Sequence, residues 1–194
     1  MIPTSVEGLA ALAAEVERQT AEVAGVVTGL SDQALGWRPS PKRWSVGGHV
    51  AHLCLINRPY LAAVEACLRR AKARGLESDG PYRHPRIATW FADEMEPPPR
   101  RRMKTFRRLV PGPAVDRRRV LADFDAVQRT LATLIVEARG TDLGRARFSS
   151  PFFKLLRVSL GAGFEITLAH NRRHIWLARE VMADPGFPRA GASP

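Results

Sequence analysis

The chain has 194 residues, 45 % of them hydrophobic and 7 % aromatic, which is enough for one packed core and too apolar for an intrinsically disordered segment. Its formal net charge is +11, and no uncharged apolar run approaches the ~18 residues of a membrane span. Met1 to Thr4 also lacks the basic and apolar segments of a signal peptide, so no membrane partner and a cytoplasmic location are expected.

The charge is unevenly placed. Between Arg69 and Arg119 there are 15 basic and 6 acidic residues, so the middle of the chain carries most of the surplus. Such a patch can meet nucleic acid, anionic lipid or an acidic metabolite. However, 26 of the 30 basic residues are Arg in an Ala-rich chain, a compositional bias that yields the same surplus with no partner. Nucleic acid is therefore not the expected partner.

In chain order, Thr4-Ser5-Val6-Glu7 has the form of a capping box and predicts a helix starting near Ser5. Leu9, Val16, Val23 and Leu30 recur every seven residues, with Leu12 and Val26 as a second row, which is the seam of a bundle. Ser31-Asp32 caps a short turn carrying Trp37. A second helix opens after Trp44-Ser45 with Ser45 as N-cap, weakened at its first turn by Gly47 and Gly48. Its inward stripe is Val46, Val50, Leu53, Asn57, Tyr60 and Val64, and Gly75 stops it. Cys54 and Cys67 lie thirteen residues apart on this helix, roughly 20 Å, which is beyond disulfide reach; both are expected reduced in the core.

Residues 75 to 115 read as a long irregular connection rich in Pro and Arg, anchored by Trp90 and Phe91. Asp116 caps a third helix with Val120, Phe124, Val127, Leu131, Leu134 and Ala138 on its inner face, ended by Gly140. Ser150-Pro151-Phe152-Phe153 is a turn with aromatics that should fold over one end of the bundle. Ser159 is the predicted cap of the last helix, which ends before Pro185. The expected fold is all-α, with no convincing strand. It is a four-helix bundle with a long crossover loop between helices 2 and 3, a single domain over 1–185 and a flexible tail over 186–194.

The last helix contains His170-Asn171-Arg172-Arg173-His174. Two histidines at i and i+4 lie on one helical face and can reach one metal ion. They share that face with Leu177 and Val181, so two hydrogen-bonded core histidines fit the pattern equally well. Helix 2 offers His49 and His52. Helical angle puts His49 nearer the centre of the apolar stripe, and periodicity does not decide between them.

Taken together, Trp44-Ser45-Val46-Gly47-Gly48-His49-Val50-Ala51-His52-Leu53, Ser150-Pro151-Phe152 and His170-Asn171-Arg172-Arg173-His174 resemble the DinB-like family of bacterial metal-binding four-helix bundles. The resemblance covers almost the whole chain in the same element order. It implies that His52, eight residues after Trp44, is the first metal ligand and that His170 and His174 supply the other two. Members often have an acidic residue where Gly47-Gly48 stands here. Three imidazoles suit Zn²⁺, Ni²⁺, Fe²⁺ or Co²⁺, with zinc or nickel the first expectations, and they leave a coordination position open, as in catalytic sites.

Characterised relatives look like metal-dependent thiol transferases using low-molecular-weight thiols, alongside isomerases. The resemblance thus implies a transferase or hydrolase acting on a small electrophile. His49, one turn from His52, is the candidate general base, or simply a histidine hydrogen-bonded within the bundle. The alternative is a non-catalytic stress-response or binding protein with a structural or vestigial metal site and a basic loop facing an anionic partner. A homodimer is also expected, because Cys54, Leu55 and Ala62 make helix 2 apolar on its other side.

Overall fold

The seven-residue seam of the first segment winds into α1, Val6–Thr28, which keeps Leu9, Val16 and Val23 on one face and buries all three. The computed structural model describes residues 2, 5–100, 105–153 and 155–189. Thr4 of the predicted capping box, Arg101 and Arg102 of the basic tract and residues 190–194 of the expected tail lie outside these. Ser5 occupies the N-cap position but its side chain bonds no backbone N–H there; its hydrogen bond to Glu7 lowers that carboxyl's pKa instead.

A short helix, α2 (Asp32–Gly36), follows, with the Ser31 hydroxyl accepting from Ala34 N. The second long helix, α3, is Val46–Ala73, and Ser45 Oγ accepts from Gly48 N at 3.0 Å. All six residues of its predicted stripe are buried. It ends in a glycine cap: Gly75 has φ 60, Gly75 N donates to Lys72 O and Leu76 N to Ala71 O, both at 3.0 Å.

The connection over 75–115 is more ordered than its composition suggests. It contains α4 (Arg86–Met95) and a 3₁₀ turn, Arg107–Leu109. Ala88, Ala92 and Met95 are buried, and α4 packs on the last helix. Of the two expected anchors, Phe91 packs on the core whereas Trp90 is 50 % exposed. The periodicity was hidden because the buried positions are small alanines rather than large apolar residues.

Helix α5 (Arg117–Glu137) starts where Asp116 accepts from Arg119 N at 2.7 Å, and α6 is Leu160–Ala183. Between them Arg147–Ser149 (β1) pairs antiparallel with Arg157–Ser159 (β2), a hairpin too short for any period-two signal to stand out. Ser159 sits at the N-cap of α6 but does not cap it. It is buried, and its hydroxyl lies 2.8 Å from His84 Nδ1. Phe148 of β1 rests on Gly163, where an added Cβ would meet its ring at 2.9 Å.

The fold is all-α apart from this hairpin. Helices α1, α5, α3 and α6 pack in that cyclic order, with the long crossover between α3 and α5. Gly47 is smooth by necessity: a Cβ there would meet Val115 Cγ1 at 2.7 Å, because the crossover returns over the start of α3. Phe187, placed by sequence in the tail, is buried edge-on against Trp37 with ring centroids 5.6 Å apart. Cys54 and Cys67 are free thiols in the core. Leu55 and Ala62 are exposed.

One layer of the core is polar. Asn171 Nδ2 donates to Gln19 Oε1 at 2.9 Å and Gln128 Oε1 at 3.1 Å, and Asn57 Nδ2 donates to Asn171 Oδ1 at 2.9 Å. Gln19 also donates to the Leu168 carbonyl and to Glu15. Each of the four long helices thus contributes one buried amide to a connected network, which is favourable only while every member is satisfied. Asn171→Ala strands three partners at once and is expected to lower stability by ~2–4 kcal/mol, to be read from urea unfolding.

Candidate metal centre

The polar layer sets the height of α6 against α3, and the histidines of the two helices meet beside it. One ring nitrogen each from His52, His170 and His174 lie within 4.8 Å of one another, a set that could hold a metal ion. The ring centroids are 4.6 Å apart for His52 and His174, 4.6 Å for His170 and His174, and 5.4 Å for His52 and His170. His52 and His174 are buried, and His170 is partly open.

Burial sets the protonation state. Desolvation lowers the pKa of His52, although its bond to the Leu109 backbone opposes this. Desolvation, then repulsion from His52 and Arg173, takes His170 to about 3. His174 falls well below its ordinary 6.5, from desolvation and its histidine neighbours. All three rings are therefore neutral at pH 7, the form that can donate a lone pair to a metal.

Two further contacts bear on which nitrogen is available. His52 Nδ1 lies 2.8 Å from the Leu109 carbonyl. A carbonyl only accepts, so Nδ1 carries the proton and Nε2 has the free lone pair. His174 Nδ1 lies 3.0 Å from His49 Nδ1, so one of these two atoms must donate. If His174 uses Nε2 as a ligand atom, its Nδ1–H donates to His49, whose own proton then sits on Nε2. Periodicity left His49 and His52 unresolved, and the family resemblance implied His52. In the structure both are buried, at 7 % and 2 % exposure, but His49 stands behind His174 rather than in the three-histidine set.

Trp44 covers this group, with its ring 5.4 Å from His49, 4.7 Å from His52 and stacked 5.8 Å from His174. The residues between the two C-terminal histidines are all engaged. Asn171 centres the amide layer, and Arg173 donates to the Glu94 carbonyl at 3.0 Å. Arg172 binds Glu96 through two nitrogens and also Glu15 and Glu165, so one guanidinium ties the end of α4 to α1 and α6. Burial alone would raise Glu15, but Arg18, Arg172 and Gln19 pull it down to about 2.

The histidines form part of the wall of a cavity of about 840 Å³, a volume that suits a small organic ligand. Its wall includes Asn57, Tyr60, Ile166 and Thr167, with Met95 from α4 and Leu109 from the crossover. The buried Tyr60 hydroxyl has no hydrogen-bond partner among the described residues. Sequence reading missed the Leu109 carbonyl, which no side-chain pattern can reveal. It also gave Arg173 no role, although it lies between the histidines.

This is a helical bundle with an imidazole cluster opening onto a ligand-sized cavity. A family model described as the DinB superfamily matches residues 15–178, and the chain belongs to that superfamily. No curated protein and no solved structure matches the chain.

Each of His49, His52, His170 and His174 has a folded-state pKa below its unfolded 6.5. The unfolded chain therefore binds more protons below pH 6.5, and stability falls as pH drops from there toward 3, where His49 and His170 protonate in the folded state. Metal-free protein should lose up to ~1.4 kcal/mol per pH unit for each such histidine, and His170→Gln should flatten the slope of a pH-resolved urea series. Tyr60→Phe removes an unsatisfied buried hydroxyl and keeps the ring, so it should raise the unfolding free energy by ~1 kcal/mol.

Proposed function

We propose that the chain is a divalent-metal enzyme whose His52, His170 and His174 hold one ion, zinc or nickel, at the wall of the cavity. The supporting observation is the convergence of three neutral imidazoles, one ring nitrogen from each lying within 4.8 Å of the others, and no carboxylate is needed to complete the set. A cation there supplies Lewis acidity and lowers the pKa of water or of a thiol that reaches it.

The reaction proposed is transfer of a low-molecular-weight thiol to a small electrophile, or hydrolysis of one. The chain's own residues supply the rest. Leu109 orients His52, and His49 orients His174 and accepts its Nδ1 proton. Trp44 keeps bulk water from one side of the rings. Arg172 holds the end of α4 beside the cavity. His49 acts here through His174 as a positioning residue, and its burial and pKa of about 3 make it a poor base toward a substrate at pH 7. In this reading the long crossover builds the site and serves no nucleic acid. No described helix is long and apolar enough to cross a membrane.

Elemental analysis of metal-free protein reloaded with Zn²⁺ or Ni²⁺ tests this. About one ion per chain is expected, lost in His52→Ala and His170→Ala, while His49→Gln retains it with ~10–100-fold weaker affinity. Activity in a screen of thiols against small electrophiles should depend on the same residues. Failure to take up metal, with no metal-induced rise in melting temperature, sinks the proposal.

A further inference from the structure

Charge around the histidines is lopsided. Among the described residues, Lys42, Arg43, Arg100 and Arg173 line the cavity, against one lining carboxylate, Glu180. Arg43 acts by repulsion on His49, and Arg173 on His170 and His174, so the two guanidiniums flank the cluster from α3's N-terminal side and from α6. Arg173 donates to the Glu94 carbonyl; burial lowers its pKa, and the Glu94 carboxylate, which also lies 3.6 Å from Arg100, opposes that lowering. Arg43 makes no ion pair among the described residues. A divalent ion on three neutral ligands would add further positive charge, and Glu180 is the one carboxylate among the described lining residues to set against it.

The wall also carries apolar side chains where they are exposed. Phe106, Val110 and Phe153 are 43 %, 45 % and 45 % exposed, and all three line this cavity. Phe106 and Phe153 face each other at 5.5 Å. Exposed large hydrophobics normally scatter singly, and a cluster at a cavity mouth marks where an apolar ligand part lies.

We propose that the cavity binds an organic carboxylate with an apolar body, its acid group met by Arg43 and Arg173 beside the histidines and its hydrocarbon part lying against Phe106, Val110 and Phe153. The inference takes the proposed metal centre as its starting point and names the class of ligand it serves. A neutral ligand leaves Arg43 unmatched, and a small inorganic anion leaves the aromatic mouth uncovered.

The test is titration of octanoate, octanamide and acetate into zinc-free and zinc-loaded protein, followed by tryptophan fluorescence, since Trp44 and Trp176 line the cavity, and by melting temperature. Octanoate should bind saturably, with octanamide and acetate each about tenfold weaker or worse. Arg43→Met should cost octanoate about tenfold and leave octanamide unchanged, and Phe153→Ser should weaken both eight-carbon ligands. Arg43 is chosen because Arg173→Met also breaks the contact with α4. Equal binding of octanoate and octanamide, no octanoate binding, or indifference to Arg43→Met overturns the inference. Zinc content is measured on the same samples. A chain that takes up no zinc yet selects the carboxylate through Arg43 overturns the metal reading alone, whereas a zinc-loaded chain indifferent to charge overturns this inference alone.

Discussion

The amide of Asn171 is the constraint on which the site depends. Hydrogen bonds need their partners within a few tenths of an ångström, whereas apolar helix faces can slide past one another at small cost. Bonded to Gln19, Gln128 and Asn57, Asn171 gives α6 one height relative to the other three long helices. His170 precedes it in the chain and Arg172 follows it. Once Asn171 is seated, His170 and His174 stand level with His52, and Arg172 meets Glu15, Glu96 and Glu165. A polar layer of this kind selects one arrangement at some expense in stability.

Burial then does two things to the same residues. It strips water from the imidazoles and keeps them neutral, and it favours a hydrogen-bond partner for a ring nitrogen that would not face a metal. The Leu109 carbonyl answers for His52 and His49 answers for His174. The orienting contacts are therefore consequences of the same desolvation that prepares the histidines for a metal.

Much of this was legible in the sequence. The long helices, their caps at Ser45 and Asp116 and their stops at Gly75 and Gly140 follow from local chemistry that tertiary context did not override. The histidine pair of α6 was legible as a pair, but its third member was not, because the helical angle of α3 favoured His49. Angle reports the mean direction of a side chain, whereas the set is chosen by where α6 lies across the bundle; the resemblance to the family carried that information. The crossover was the least legible part. The buried face of α4 is marked by alanines, Leu109 contributes a main-chain atom, and the cap expected of Ser159 is lost to a contact with His84, 75 residues away in sequence.

The bond from His52 to residue 109 has a consequence for how such a chain can change. Its acceptor is main chain, so no replacement of the leucine side chain deletes it directly. What must persist is the path of the crossover over the start of α3, where Val115 occupies the space that Gly47 leaves. Selection on the His52 contact therefore falls on the route of a loop and on a glycine in the first turn of α3, two residues before His49. The amino acids along the loop can then change widely while the bond from His52 to the main chain of residue 109 is kept.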